Sequence, residues 1–313
     1  MLHSVSHSVM FHHFHNNIHP RSQGSLSDKD FTELLLWLHK KYNLIGAKEY
    51  SKKLWSGTLS ASDVCLSFDD ALKCQYDIAI PILEKFGLDA FFFVYSSIFS
   101  DSPDLLEIYR FFRNIHFAEI DIFYNDFFAI VEQLDTVEYK KQKFAYKSMN
   151  YLSAFPFYSE NDKWFRYIRD QYLVPIRYKE IMSKMMFQHG FNIEDAKKNI
   201  WMSEDDLKDI DRMQHVIGLH TFSHPTQTSK LSFKDQYREY SKNYEHLSVL
   251  LDHPIQSMSY PCGDYNDDTL KILKSMGISI GFRSSMSVNE IKSSLEIPRE
   301  DHSNVLKEMK LSK

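Results

Sequence analysis

Val64-Cys65-Leu66-Ser67-Phe68-Asp69-Asp70 is a short apolar run that ends on two adjacent carboxylates. Side chains alternate between the faces of a strand, so Leu66 and Phe68 share one face and Ser67 takes the other. The two aspartates then leave the C-terminal end of the strand on opposite sides. Two jobs open at such an end: one carboxylate can hold a metal ion while its neighbour acts as a base, provided other segments add ligands. His220 and His224, in Gly218-Leu219-His220-Thr221-Phe222-Ser223-His224-Pro225, offer them. Each piece also has a plainer reading, because Asp pairs form turns and helix caps and paired histidines can simply bond to backbone. Both pieces, however, follow strand-like runs and sit where the backbone turns, as residues at the mouth of an α/β barrel do.

Outward from that strand, elements alternate. Val9–Phe14 reads as a first strand, and Ser27 caps a helix whose Phe31, Leu34, Leu35, Leu38 and Tyr42 recur at the helical period. Cys74–Phe86 reads as a helix ended by Gly87, with Pro81 expected to kink or shorten it, and Ala90–Tyr95 is a continuous apolar strand. Residues 99–214 are dense in Phe, Tyr, Met and Lys and carry helical segments at Asp104–Phe117, Phe123–Leu134 and Tyr167–Phe187, with a capping pattern at Ser203. Their aromatic stripes read as the segment's own core. Ser232 opens a further helix to Leu251, followed by strand Met258–Tyr260, a helix from Asn266 to Gly277, strand Ile278–Phe282 and a last strand Leu295–Arg299. This alternation argues a parallel α/β arrangement.

The chain of 313 residues is 43% hydrophobic and 15% aromatic, enough for a large core, and its net charge of −5 has interspersed signs. No basic stripe points to nucleic acid as a partner. Cys65, Cys74 and Cys262 are an odd set without zinc-type pairing, which fits a reducing compartment. No run is long enough for a transmembrane segment, and Met1–Ser8 lacks the basic start and apolar centre of a signal peptide. The expected address is cytoplasmic. Six of the fifteen histidines fall in residues 3–19, where an irregular metal-binding tract competes with a strand-end histidine, His12 or His13, facing a pocket.

Three stretches together resemble the polysaccharide deacetylase family. Ser67-Phe68-Asp69-Asp70, followed by Ile80–Val94, is similar to its first motif. His220-Thr221-Phe222-Ser223-His224-Pro225 is similar to its histidine motif, and Ser259-Tyr260-Pro261-Cys262-Gly263-Asp264-Tyr265-Asn266 to its third. The resemblance implies an α/β fold, a distorted (β/α) barrel, interrupted by a large helical insertion. The division is residues 1–98 and 215–313 for the barrel and 99–214 for an insertion placed to act as a lid or wall. It implies Asp70, His220 and His224 as ligands of a divalent metal, zinc first, with cobalt, manganese or nickel as alternatives. Asp69 would be the general base, Arg299 or Arg283 would hold it charged, and His302 would protonate the leaving amine, with His13 behind it. A backbone N–H near Tyr260-Pro261-Cys262-Gly263 would meet the substrate oxyanion, with Tyr260, Pro261 and Gly263 as substrate-binding residues. The implied reaction removes an N-acyl group, acetyl first, from an amino sugar in a nucleotide- or lipid-linked precursor of a cell-surface glycan. A non-catalytic carbohydrate-binding protein and an O-acetyl esterase are the rival readings. Three positions depart from the family pattern: Ala71 replaces a glycine, Ser259 an arginine, and Cys262 an aromatic residue.

Overall fold

The computed structural model describes residues 4–100, 105–152 and 158–311. Its strands are β1 (His7–Phe11), β2 (Asn43–Leu44), β3 (Asp63–Asp69), β4 (Phe91–Val94), β5 (Val216–Leu219), β6 (Ser257–Ser259), β7 (Ile280–Phe282) and β8 (Arg299–Asp301). All pairings are parallel, in the order β7-β6-β5-β4-β3-β1-β8, with β2 beside the start of β3. The chain just before β8 also bonds to β7: the Ile297 amide donates to the Gly281 carbonyl at 2.8 Å and the Arg283 amide to the Ile297 carbonyl at 2.9 Å. Residues 297–301 therefore join the two outer strands and nearly close the sheet into the expected barrel, which removes its open edges. Gly281 lets the chain pass, since a Cβ there would stand 2.5 Å from the Leu295 carbonyl oxygen.

The strands are apolar on both faces because both faces are covered. Inside, Cys65 of β3 packs with Phe91, Phe93, Ile280, Phe282 and Ile297. Ser67 and Asp69 follow Cys65 at period two, so they share its inward face. Outside, Phe68 stacks on Phe92 at 4.7 Å and meets Phe31 of helix Asp28–Lys41 at 6.1 Å. Burying each such ring stabilises the fold by about 1.5–3 kcal/mol. That helix starts where the sequence expects, with Ser27 Oγ accepting from the Asp30 amide and the Asp30 carboxylate from the Ser27 amide, both at 3.1 Å. Such a cap contributes about 1 kcal/mol.

Prolines break two helices, at Pro81 as the sequence expects and at Pro175 where it does not. Over Cys74–Phe86 the chain makes a π-turn at Gln75–Ala79 and then an α-helix at Ile80–Phe86, which puts Pro81 in a first turn where its missing N–H costs nothing. The single helix expected over Tyr167–Phe187 is two, Glu160–Tyr167 with a π-turn to Tyr172 and then Pro175–Gln188, because Pro175 forces Val174 into extended backbone.

The chain divides into two compact units, Met1–Asp104 with Lys197–Lys313, and Leu105–Ala196. The first contains the barrel. It also holds helix Glu204–Arg212, which the sequence pattern assigns to the insertion: the Met202 amide donates to the Ala71 carbonyl at 2.9 Å and Lys73 pairs with Asp206 at 2.9 Å. The second unit is helical and has its own aromatic core, in which Phe127 packs on Phe165 at 4.9 Å and Phe123 on Phe117 at 5.4 Å. Its first helix is described from Leu105, so Asp104 lies outside the described residues.

A candidate metal centre beside a buried ion pair

The strands β3, β4 and β5 end at one rim, and their ends are bonded to each other. The Asp70 amide donates to the Phe93 carbonyl at 3.0 Å and the His220 amide to the Val94 carbonyl at 3.1 Å. Beyond these bonds the backbone turns sharply through left-handed conformations at Asp70 (φ 78), Ala71 (φ 50), Thr221 (φ 63) and His224 (φ 54). None is glycine, so each costs about 1–2 kcal/mol and persists because its surroundings fix it. Thr221 shows how: its hydroxyl donates to the His220 carbonyl at 2.5 Å and accepts from the His224 amide at 3.2 Å. The turns separate the two carboxylates, leaving Asp69 on the strand and swinging Asp70 toward the histidines.

Asp70 Oδ1 lies 3.5 Å from Nε2 of His220 and 3.5 Å from Nε2 of His224. Among the described residues this is the one group of three or more acidic, His or Cys side chains whose ligand atoms converge, all within 4.8 Å. The histidines at residues 7–19 make no such group; His15 meets Ser25 and His19 meets Asp77 instead. His220 is oriented by its other nitrogen, Nδ1, which lies 2.9 Å from the Ser259 carbonyl and 2.7 Å from Ser259 Oγ. With the Nδ1 proton so placed, Nε2 carries the lone pair toward Asp70. Burial pulls the His220 pKa down to about 3 against the opposing pull of Asp69, so the ring is neutral at ordinary pH. One hard oxygen and two imidazole nitrogens form a donor set that suits zinc and its neighbours.

Asp69 has different company. Its Oδ1 accepts from Arg299 Nη1 at 2.7 Å and from Ser259 Oγ at 3.2 Å, and its Oδ2 lies 3.7 Å from His12 Nε2. Burial, the largest single influence, raises its pKa, but the charge and hydrogen bond of Arg299 together with the neighbouring His220 and His12 outweigh it and hold the carboxyl well below the usual range. Arg299 is 1% exposed; it also donates from Nε to the Arg283 carbonyl at 3.2 Å. Ser259, standing where the family pattern has arginine, thus links the Asp69 carboxylate to His220, and the guanidinium comes from β8.

The remaining candidates divide. Arg283 contributes its carbonyl, while its guanidinium turns to Ser287. His12, just past β1, faces Asp69, and His13 stands beside it with ring centroids 6.3 Å apart. His302 is buried against Phe11, and its Nε2 donates to the Gly24 carbonyl at 2.8 Å. Tyr260 is fully buried, stacked on Tyr265 at 4.1 Å with its hydroxyl on the Leu295 carbonyl. The amides of Tyr260 and Gly263 are spent on the carbonyls of Phe282 and Tyr260, and Pro261 has none, so the expected oxyanion contact is not offered by these three.

Sequence reasoning missed Asn243. It is fully buried on helix Phe233–Leu251; its Oδ1 accepts from the His220 amide at 2.9 Å and its Nδ2 donates to the Val94 carbonyl at 3.0 Å and to Ser96 Oγ at 2.6 Å. The signal was an amide in the apolar stripe between Tyr240 and Leu247. Gln75 escaped too: its Nε2 joins the carbonyls of His12 and Asp69 at 2.8 and 2.6 Å.

A family model described as Polysaccharide deacetylase matches residues 170–281, which include both histidines and Ser259 but not the Asp pair. Among solved structures, the chain is similar to the Streptococcus pyogenes deacetylase PplD in complex with acetate, with 16% identity, TM-score 0.54 and coverage of 96% of each chain. It is similar to IcaB from Ammonifex degensii, with 14% identity, TM-score 0.55 and coverage of 95% of this chain and 91% of that one. A de-N-acetylase from Aggregatibacter actinomycetemcomitans gives 12%, 0.53, 97% and 98%. No curated protein matches the chain by sequence.

Proposed function

For a chain that has the polysaccharide deacetylase fold and matches that family over residues 170–281, we propose a metal-dependent amidohydrolase that removes an N-acyl group, acetyl first, from an amino sugar. The observation that carries the reading is the convergence of Asp70, His220 and His224 beside a second carboxylate held ionised by a buried arginine.

Asp70 and the two Nε2 atoms would hold the cation, zinc first. When bound, such a cation polarises the acyl carbonyl and lowers the pKa of a water. Asp69 takes the proton from the attacking water. A carboxylate held so low is a weak base, so it serves when the water is already acidified, and its fixed aim is its main contribution. Arg299 and Ser259 supply that aim. The departing amine needs a proton from a histidine. His302 has its Nε2 proton committed to Gly24, whereas His12 Nε2 lies 3.7 Å from Asp69 and can pass on what Asp69 receives. His12 is therefore the better placed donor.

The reaction itself is tested by mass spectrometry of N-acetylated nucleotide sugars and oligosaccharides after incubation with protein loaded with zinc, cobalt, manganese or nickel. Loss of an acetyl mass from one of them is expected. Failure to retain a divalent ion through desalting, with every substrate intact, would instead support the carbohydrate-binding reading.

A further inference from the structure

We propose that helix Thr136–Lys147 of the helical unit rests its outer face on an anionic lipid bilayer, as a peripheral contact at the membrane surface. Aromatic packing fixes which face is inner. The buried Tyr139 accepts on its hydroxyl from Trp164 Nε1 at 3.3 Å, Gln142 Oε1 accepts from the Tyr167 hydroxyl at 2.9 Å, and Tyr146 meets Trp164 and Tyr167 with ring centroids at 4.8 and 5.3 Å. Positions 139, 142 and 146 recur at the helical period and lie on one side. At about 100° per residue, Val137 and Phe144 stand on the side directly opposite. They are 80% and 81% exposed.

This is the reverse of a helix built for water, which places its charged residues on the side away from the core. Here the charges stand to either side of an apolar ridge. Lys140 and Lys147 flank Val137 and Phe144 on one side, with Lys143 further round, and Lys141 flanks them on the other; all four lysines are exposed. The one acidic residue within the helix, Glu138, lies on the Lys141 side and pairs with it at 3.3 Å. An apolar ridge between lysines matches the layers of a bilayer surface in both polarity and charge. The ridge enters the boundary of the acyl chains, while the long lysine stems carry their ammonium groups out to the lipid phosphates. Other macromolecules match this face less well. It is a ridge on a single helix rather than a groove that receives a peptide, lysine is depleted from protein interfaces, and nucleic acid is bound through its phosphates, for which an apolar ridge has no use. This inference does not depend on amide hydrolysis in the barrel.

The test is flotation of the full chain with phosphatidylcholine vesicles prepared with and without phosphatidylglycerol. The chain should float with the anionic vesicles, bind them more weakly as salt rises, and bind the neutral ones far less. Val137→Ser combined with Phe144→Ser removes the ridge and keeps the charge, and should weaken binding by about tenfold or more. Lys140→Gln combined with Lys147→Gln keeps the ridge, and should weaken binding to anionic vesicles by about fivefold per lysine and reduce its salt dependence. All four positions are exposed, so both variants should melt with the parent, which separates a lost contact from a lost fold. Should the serine variant fail to fold, the glutamine variant decides in the same assay. A parent that stays with the soluble fraction, or undiminished binding in either folded variant, overturns the proposal. So does self-association of the parent that Phe144→Ser abolishes in the absence of any vesicle binding, which would make the ridge a contact between two copies of the chain.

Discussion

Asp69 and Asp70 are neighbours in sequence with opposite surroundings, and substitution should separate them. Asp69→Asn should keep the metal and lose turnover by about two to four powers of ten, the usual weight of a positioned base. Asp70→Asn should lose both, as read by metal titration alongside rate; equal behaviour of the two variants would dissolve the division of roles. The ion pair allows a sharper test. Arg299→Met strands a buried carboxylate and should cost about 3–5 kcal/mol in urea unfolding, whereas adding Asp69→Asn should return most of that stability while activity stays lost. At this scale the convergent trio Asp70, His220 and His224 was legible in the sequence because each residue sits in a local pattern of strand, turn and proline. Ser259 and His12 were not readable as partners of Asp69, since their proximity depends on which strands lie side by side.

Helix Phe233–Leu251 does more than cover the sheet. Through Asn243 it ties the backbone at His220 to the ends of β4 and β5, and through His246, whose Nδ1 lies 2.8 Å from Ser96 Oγ, it extends the tie toward Glu204. Asn243 is a positioning residue: Asn243→Ala should leave the chain folded but weaken zinc about 10- to 100-fold in chelator competition, as loss of a ligand's supporting partner does. Hydrogen exchange should quicken at the His220 amide; unchanged exchange and affinity would reduce Asn243 to packing. The helix and its cap at Ser232 were legible from period and capping, and so was its apolar stripe. Pro175 shows the opposite case: periodicity continues across it, and only the sterics of the residue before the proline and the π-turn decide where the helix stops, whereas Pro81 was legible as a break.

For the molecule as a whole, acid should be a weakness at a place remote from the chemistry. His215 is 4% exposed, packs edge-on against Phe92 and accepts the Ala90 amide on Nδ1 at 3.1 Å, a bond that requires that nitrogen to be unprotonated. Burial pulls its pKa down to about 4, with Asp89 opposing and Lys48 assisting. The folded pKa is thus below the unfolded one, so the contribution is fully present above about pH 6.5 and is lost as pH falls toward 4, by at most about 3 kcal/mol. His215→Asn, which keeps an acceptor, should flatten the stability difference between about pH 7 and pH 4.5 measured by urea unfolding. An unchanged slope would place the acid sensitivity elsewhere. The barrel itself was legible from alternating strands and helices. The limits of the helical unit were less so, since a capped amphipathic helix such as Glu204–Arg212 reads the same whichever core it joins, and only packing decides.

The guanidinium that charges Asp69 lies 230 positions further along the chain, on the strand that also fastens the two sides of the sheet. A ribosome therefore releases the carboxylate pair and both histidines well before Arg299 emerges. Until that stretch docks, Asp69 lacks the Arg299 counter-ion that keeps it ionised in a dry interior, however complete the rest of the rim. Contacts of such long sequence separation form late and slowly. Topology thus makes the ionisation of Asp69 depend on a segment 230 positions away, and a polypeptide cut short of residue 299 would keep Asp70, His220 and His224 without the partner of Asp69.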